Sequence, residues 1–137
     1  MSNAKPLIAI VDDDESVCRA LKRLVHSLGM DGESFTSGQE FLDLIEAMPS
    51  FHADCVVLDV QMPRLNGLEV QERLVRNGNP LPVVFITAHD DADPRERALA
   101  AGAVAFVCKP FNDELFIRIL REALERSAEG KQPAGDV

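Results

Sequence analysis

Basic residues are in short supply in this 137-residue chain, where 14 Lys and Arg stand against 23 Asp and Glu for a formal net charge of −9. Affinity for nucleic acid needs cations beside phosphates, so the balance argues against direct DNA or RNA binding by this segment. Long hydrophobic runs are missing too. None approaches the roughly 20 residues that span a bilayer, and the amino terminus lacks a signal-peptide pattern. A cytoplasmic location with no membrane contact is therefore expected. Cysteine is scarce: Cys18, Cys55 and Cys108 are odd in number, widely spaced and set in apolar stretches. That usage fits reduced, buried thiols and neither a disulfide framework nor a zinc site.

What the chain does contain is a repeated pairing of apolar run and polar exit. Leu7–Val11 leads into Asp12 and Asp13, Cys55–Leu58 into Asp59, Val83–Ile86 into Thr87, and Ala105–Cys108 into Lys109 and Pro110. Each run has the length and continuity of a strand covered on both faces. A weaker strand is expected near Asp31–Phe35. Helical spacing lies between the runs: Val17, Leu21, Leu24, Val25 and Leu28; Phe41, Leu42, Ile45 and Met48; Leu68, Val70, Leu74 and Val75; and Leu115, Phe116, Ile119, Leu120, Ala123 and Leu124. Ser37-Gly-Gln-Glu40 has the spacing of a capping box, Asp93-Pro94-Arg-Glu96 orders a cap, a first-turn proline and an acid, and Gly29 and Gly102 stand where helices stop.

Five strands alternating with five helices predict an α/β domain: a doubly wound, five-stranded parallel sheet with helices on both faces. The length fits one domain, over residues 7–126. Residues 1–6 read as an N-terminal tail, in which Met1-Ser-Asn-Ala4 has the look of cloning residue, and 127–137 read as a C-terminal tail or linker.

In an open parallel sheet, ligands gather beyond the carboxyl ends of the strands, so the exit residues are expected to share one pocket. Asp12, Asp13 and Asp59 would then crowd three negative charges together. Two unit charges about 4 Å apart repel by about 4 kcal/mol at an effective dielectric near 20, which favours a hard divalent cation; Mg²⁺ suits an oxygen-only site that also takes a phosphoryl group. Lys109 adds a positive charge and Thr87 a hydroxyl donor, the parts that phosphoryl transfer uses. Asp59, alone on its strand and followed by the loop Val-Gln-Met-Pro-Arg-Leu-Asn-Gly67, is the expected nucleophile.

On the motifs Val11-Asp-Asp13, Leu58-Asp-Val-Gln-Met-Pro63 with Gly67, Ile86-Thr-Ala88 and Gly102-Ala-Val-Ala-Phe-Val-Cys-Lys-Pro-Phe111, the chain resembles the receiver domain of two-component response regulators. The stretch Phe-Ile-Thr-Ala-His89 and the preceding Pro-Leu-Pro look most like the nitrogen-fixation regulator branch. The resemblance implies a flavodoxin-like strand order 2-1-3-4-5 and transfer of a phosphoryl group from a histidine kinase or phosphotransfer protein to Asp59. It implies Mg²⁺ held by Asp13, Asp59 and the Gln61 carbonyl, with Asp12 acting through water. Lys109 would pair with the carboxylate and then the phosphoryl group, Thr87 would move toward it, and Phe106 would be the aromatic that swings inward. The chain has no tyrosine, so a switch using a Tyr hydroxyl is ruled out. Gln61 and His89 stand where the family carries rate-tuning residues. Such a domain catalyses only its own phosphorylation and dephosphorylation, and passes the signal to a partner, to an output domain that controls transcription, or to a homodimer surface. For a dimer, Ile117 lies off the apolar face of the last helix, among Arg118, Arg121, Glu122 and Glu125.

A phosphatase of the haloacid-dehalogenase kind shares an Asp nucleophile, Mg²⁺, a Thr and a Lys, and Val11-Asp-Asp-Asp14 is a passing match to its first motif. It would need further acidic ligands after the Lys strand, where this chain goes straight into its last helix. A receiver-like binding module without phosphoryl chemistry is disfavoured by the intact acceptor set.

Overall fold

The computed structural model describes residues 5–89 and 91–130. Strands and helices alternate from end to end: β1 (Leu7–Val11), α1 (Glu15–Ser27), β2 (Asp31–Phe35), α2 (Gly38–Ala47), β3 (Cys55–Asp59), α3 (Gly67–Arg76), β4 (Val83–Thr87), α4 (Ala92–Ala100), β5 (Ala105–Cys108) and α5 (Asp113–Gly130). The strands form one parallel sheet in the order β2-β1-β3-β4-β5. The order reverses between β1 and β3, which opens a crevice at their carboxyl ends.

Alternation along each strand divides the core in two. Ala9, Val11, Val56, Leu58 and Phe85 point to the side covered by α2, α3 and α4, where Phe41, Leu42, Leu68, Leu74 and Ala98 meet them. Ile8, Ile10, Val57, Val84 and Ile86 point to the other side, against Leu21 and Val25 of α1 and Phe116, Leu120 and Ala123 of α5. Both faces are apolar because both are covered, which is why the strand sequences read as continuous runs. Among the described residues the cysteines are free, Cys18 and Cys55 being buried and Cys108 partly so. No helix among them is long and apolar enough to cross a membrane.

Several local expectations are corrected. The helix α4 starts at Ala92 with Asp91 at its cap, and no side chain bonds there. Pro94 thus sits in the first turn, where its missing N–H has no helical partner to lose. The helix α5 runs on to Gly130, past the expected boundary at residue 127, because helix propagates at one hydrogen bond per residue until a breaker intervenes. Residues 1–4 and 131–137 of the expected tails lie outside the described residues. Met48, Val75 and Leu115 are exposed. Met48 has left the helix as its C-cap, while Val75 and Leu115 stand one residue, or 100°, from the buried Leu74 and Phe116.

The helix ends follow the glycines. At α4, Gly102 adopts φ 103°, Gly102 N donates to Leu99 O, and Ala103 N donates to Ala98 O, the paired closure that a left-handed residue after a helix permits. Gly29 ends α1 in the same way.

Candidate functional site

Register places the strand exits side by side. Val11 pairs with Leu58, Asp59 with Ile86, and Thr87 with Cys108, so Asp12, Asp59, Thr87 and Lys109 emerge at one edge. Lys109 N also donates to Thr87 O at 2.6 Å, which continues the ladder one residue past β5.

Asp12 is fully buried. One carboxylate oxygen, Oδ1, accepts from Asp14 N at 2.8 Å, and the other, Oδ2, accepts from Lys109 Nζ at 2.8 Å. Asp13 is exposed. One carboxylate oxygen from each of Asp12, Asp13 and Asp59 lies within 4.8 Å of the other two. Asp14 belongs to the helix instead: it caps α1 by accepting from Ser16 Oγ at 2.6 Å and Ser16 N at 2.9 Å, and those bonds hold its carboxyl below the ordinary value.

Asp59 is 5% exposed, and its Oδ1 lies 3.6 Å from Lys109 Nζ. Burial, followed by the charge of Asp12, pushes its carboxyl up to about 7. Lys109 opposes that rise, Asp13 adds to it, and the backbone N–H of Gln61 offsets part of it by hydrogen bonding. For Lys109, burial pulls the ammonium down, but the hydrogen bond to Asp12 and the charge of Asp59 outweigh it and leave the group raised. The ammonium is therefore a fixed positive charge, closer to Asp12 than to Asp59.

Thr87 is buried, and its hydroxyl is engaged locally, donating to His89 O and accepting from His89 N, both at 3.1 Å. His89 and Gln61 are exposed at the pocket's rim. Phe106 is already inward at 6% exposure, its ring 6.0 Å from that of Phe85, and the Arg95 guanidinium carbon sits 5.0 Å from its ring centre.

The floor of the site rests on Gly67. A Cβ there would run into the backbone carbonyl of Asp59, so only glycine lets the start of α3 pack directly under the β3 exit. Asn66 caps α3 through a reciprocal pair, Asn66 Oδ1 accepting from Glu69 N and Glu69 Oε1 accepting from Asn66 N, both at 2.9 Å. Asn-x-x-Glu before an apolar face is the local signal for that capping box, whereas no local pattern marks Arg95 or the buried Gln71.

A family model described as "Response regulator receiver domain" matches residues 8–121. The response regulator protein TmoT of Ectopseudomonas mendocina is 36% identical over 137 residues, covering all of this chain and 61% of TmoT. The chain thus spans less than two thirds of that curated relative. Among solved structures, a response regulator receiver protein from Burkholderia phymatum is 58% identical with a TM-score of 0.80, over 88% of this chain and 96% of that one. The response regulator StyR is 40% identical with a TM-score of 0.84, over 94% of this chain and 64% of StyR.

Proposed function

Since this chain belongs to the family of response regulator receiver domains, we propose that Asp59 is its phosphoacceptor and that a histidine kinase or phosphotransfer protein is the donor. A carboxylate oxygen of Asp59 attacks the phosphorus of the donor's phosphohistidine, the P–N bond breaks, and the phosphoryl group passes to Asp59. The observation that carries this reading is the setting of Asp59, buried between a fixed ammonium and two further carboxylates. Lys109 neutralises charge on the incoming group. Thr87 can donate its hydroxyl to a phosphoryl oxygen only by giving up its bond to His89 O. An apolar groove lined by Val17, Leu21, Leu24, Pro110 and Phe111 opens beside Lys109, which supports docking of the donor at that rim.

The buried Asp12 and Asp59 and the exposed Asp13 face one ammonium, which leaves an excess of negative charge, and the donors are all oxygens, so the site fits Mg²⁺. Asp13, Asp59 and the Gln61 carbonyl would hold it, with Asp12, whose oxygens already accept from Asp14 N and Lys109 Nζ, acting through water. When bound, the ion supplies positive charge to the phosphoryl oxygens in transit. Gln61 and His89, at the rim, are proposed to tune the rate at which water reaches the acyl phosphate.

The chain acts on its own Asp59 alone, in the cytoplasm, and relays the change to a partner, to an output domain such as one controlling transcription, or to a second copy. Incubation with Mg²⁺ and acetyl phosphate should add a single increment of about 80 Da, one phosphoryl group, read by intact mass. The adduct should vanish in Asp59→Asn, and a persistent adduct would sink the assignment. The protein should also turn over no generic phosphomonoester, as a dehalogenase-like phosphatase would.

A further inference from the structure

The helix α4 buries the least of itself. Ala98 is its only buried residue, and no side chain caps its N-terminus. By comparison α3 buries Gly67, Leu68, Val70, Gln71 and Leu74. A methyl group offers little relief to lock a helix in one place, so other contacts must fix where α4 sits.

Among the described residues two contacts do so, one on each side. Gln71, on the buried face of α3, is 4% exposed, and its Nε2 donates to the carbonyl of Ala98 at 3.0 Å. That same carbonyl accepts from Ala103 N at 3.0 Å, the bond that closes the C-terminal cap of α4. On the other side, Arg95 lies over the ring of Phe106 in β5. A cleft lined by Leu68, Gln71, Arg97 and Ala100 runs between α3 and α4 and leaves the helix room to travel.

An amide in an apolar interior is unfavourable unless bonded, so an aliphatic side chain would fill position 71 more simply. What the amide adds is discrimination. Sliding α4 along α3 costs an apolar side chain little, but it leaves Gln71 without a partner.

We propose that Gln71 is a latch that sets the resting position of α4, with Arg95 on Phe106 as its counterpart, and that release of the latch lets α4 shift and remodel the surface it shares with β5 and α5. The latch is a property of the unphosphorylated chain. Its use as the relay of phosphorylation rests on the reading of Asp59 given above.

Amide exchange on the intact, unphosphorylated chain tests the latch directly. Gln71→Met keeps volume and removes the donor. Exchange across residues 95–101 should accelerate about fivefold or more, the effect of losing one net hydrogen bond from a locally opening unit, while α1 and α5 keep their rates. Unchanged rates in α4, or a rise shared by all helices, would overturn the proposal. Should Gln71→Met fail to fold, Gln71→Leu removes the same donor and carries the same test, and Arg95→Ala should loosen the same residues from the other side. Addition of Mg²⁺ and beryllofluoride separates the two readings. If it leaves wild-type α4 unaffected while Gln71→Met loosens it, the latch stands and the switch at Asp59 falls. If it loosens wild-type α4 while both variants are silent, the latch falls and the switch stands.

Discussion

At Asp59, burial and the neighbouring acids push the carboxyl up to about 7, from an ordinary 3.8. The folded chain therefore holds a proton over a range in which the unfolded chain has released it. Without Mg²⁺, the stability linked to Asp59 is fully present below pH 3.8 and is lost as pH rises through about 7. Asp59→Asn cannot ionise, so it escapes that loss. Between about pH 5 and about pH 8, denaturant unfolding in a chelator should show stability shifting in favour of Asp59→Asn, by more than the roughly 1.4 kcal/mol that one pH unit of differential protonation is worth. A difference that stays constant with pH would show that burial does not raise this carboxyl. The same competition should make Mg²⁺ binding weaker on the acid side of 7, where a proton must first be displaced.

At the scale of elements, the site depends on how closely α3 approaches the end of β3. Gly67 N donates to Val60 O at 2.9 Å, and a side chain at 67 would collide with the Asp59 carbonyl rather than with a flexible tip. Backbone must move to relieve that clash. Gly67→Ala should lower stability by about 1–3 kcal/mol, the usual range for overpacking, and should slow phosphorylation by displacing Asp59. Thermal unfolding and the rate of the mass increment report the two effects separately. An equally stable variant with unchanged phosphorylation would mean that the contact is relieved without consequence.

At the scale of the whole molecule, the Mg²⁺ site proposed above would tie stability to a cation. With a dissociation constant of about 1 mM, about 10 mM Mg²⁺ adds about 1.4 kcal/mol by mass action, a rise in melting temperature of about 3–6 °C for a domain of this size. Asp13→Ala should abolish the rise, and an unchanged wild-type melting temperature would count against the metal site. The surface formed by α4, β5 and α5 exposes Leu99 and Leu115, whereas Ile117, which the helical wheel singles out, is half-buried. A homodimer gained on phosphorylation would cover those two leucines. Sedimentation with and without beryllofluoride should therefore show a monomer becoming a dimer, and Leu115→Glu should keep it monomeric. A monomer in both states would exclude dimerisation by this chain alone.

The sequence by itself determined the alternation of strand and helix, the two-faced burial of the sheet, and the gathering of Asp12, Asp13, Asp59 and Lys109. These follow from periodicity and from parallel topology, which brings strand exits to one edge whatever the details of packing. Choice of partner was decided only in three dimensions. Lys109 lies nearer Asp12 than Asp59, Thr87 turns its hydroxyl to its own loop, and Gln71 reaches a carbonyl 27 residues away. Arg95 covers Phe106 by the same kind of long-range placement. Such contacts depend on strand register and on where one helix lies against the next, and a hydrogen bond tolerates errors of only a few tenths of an ångström in that placement. Local sequence carries no information at that precision, whereas the folded sheet, by fixing every neighbour at once, does.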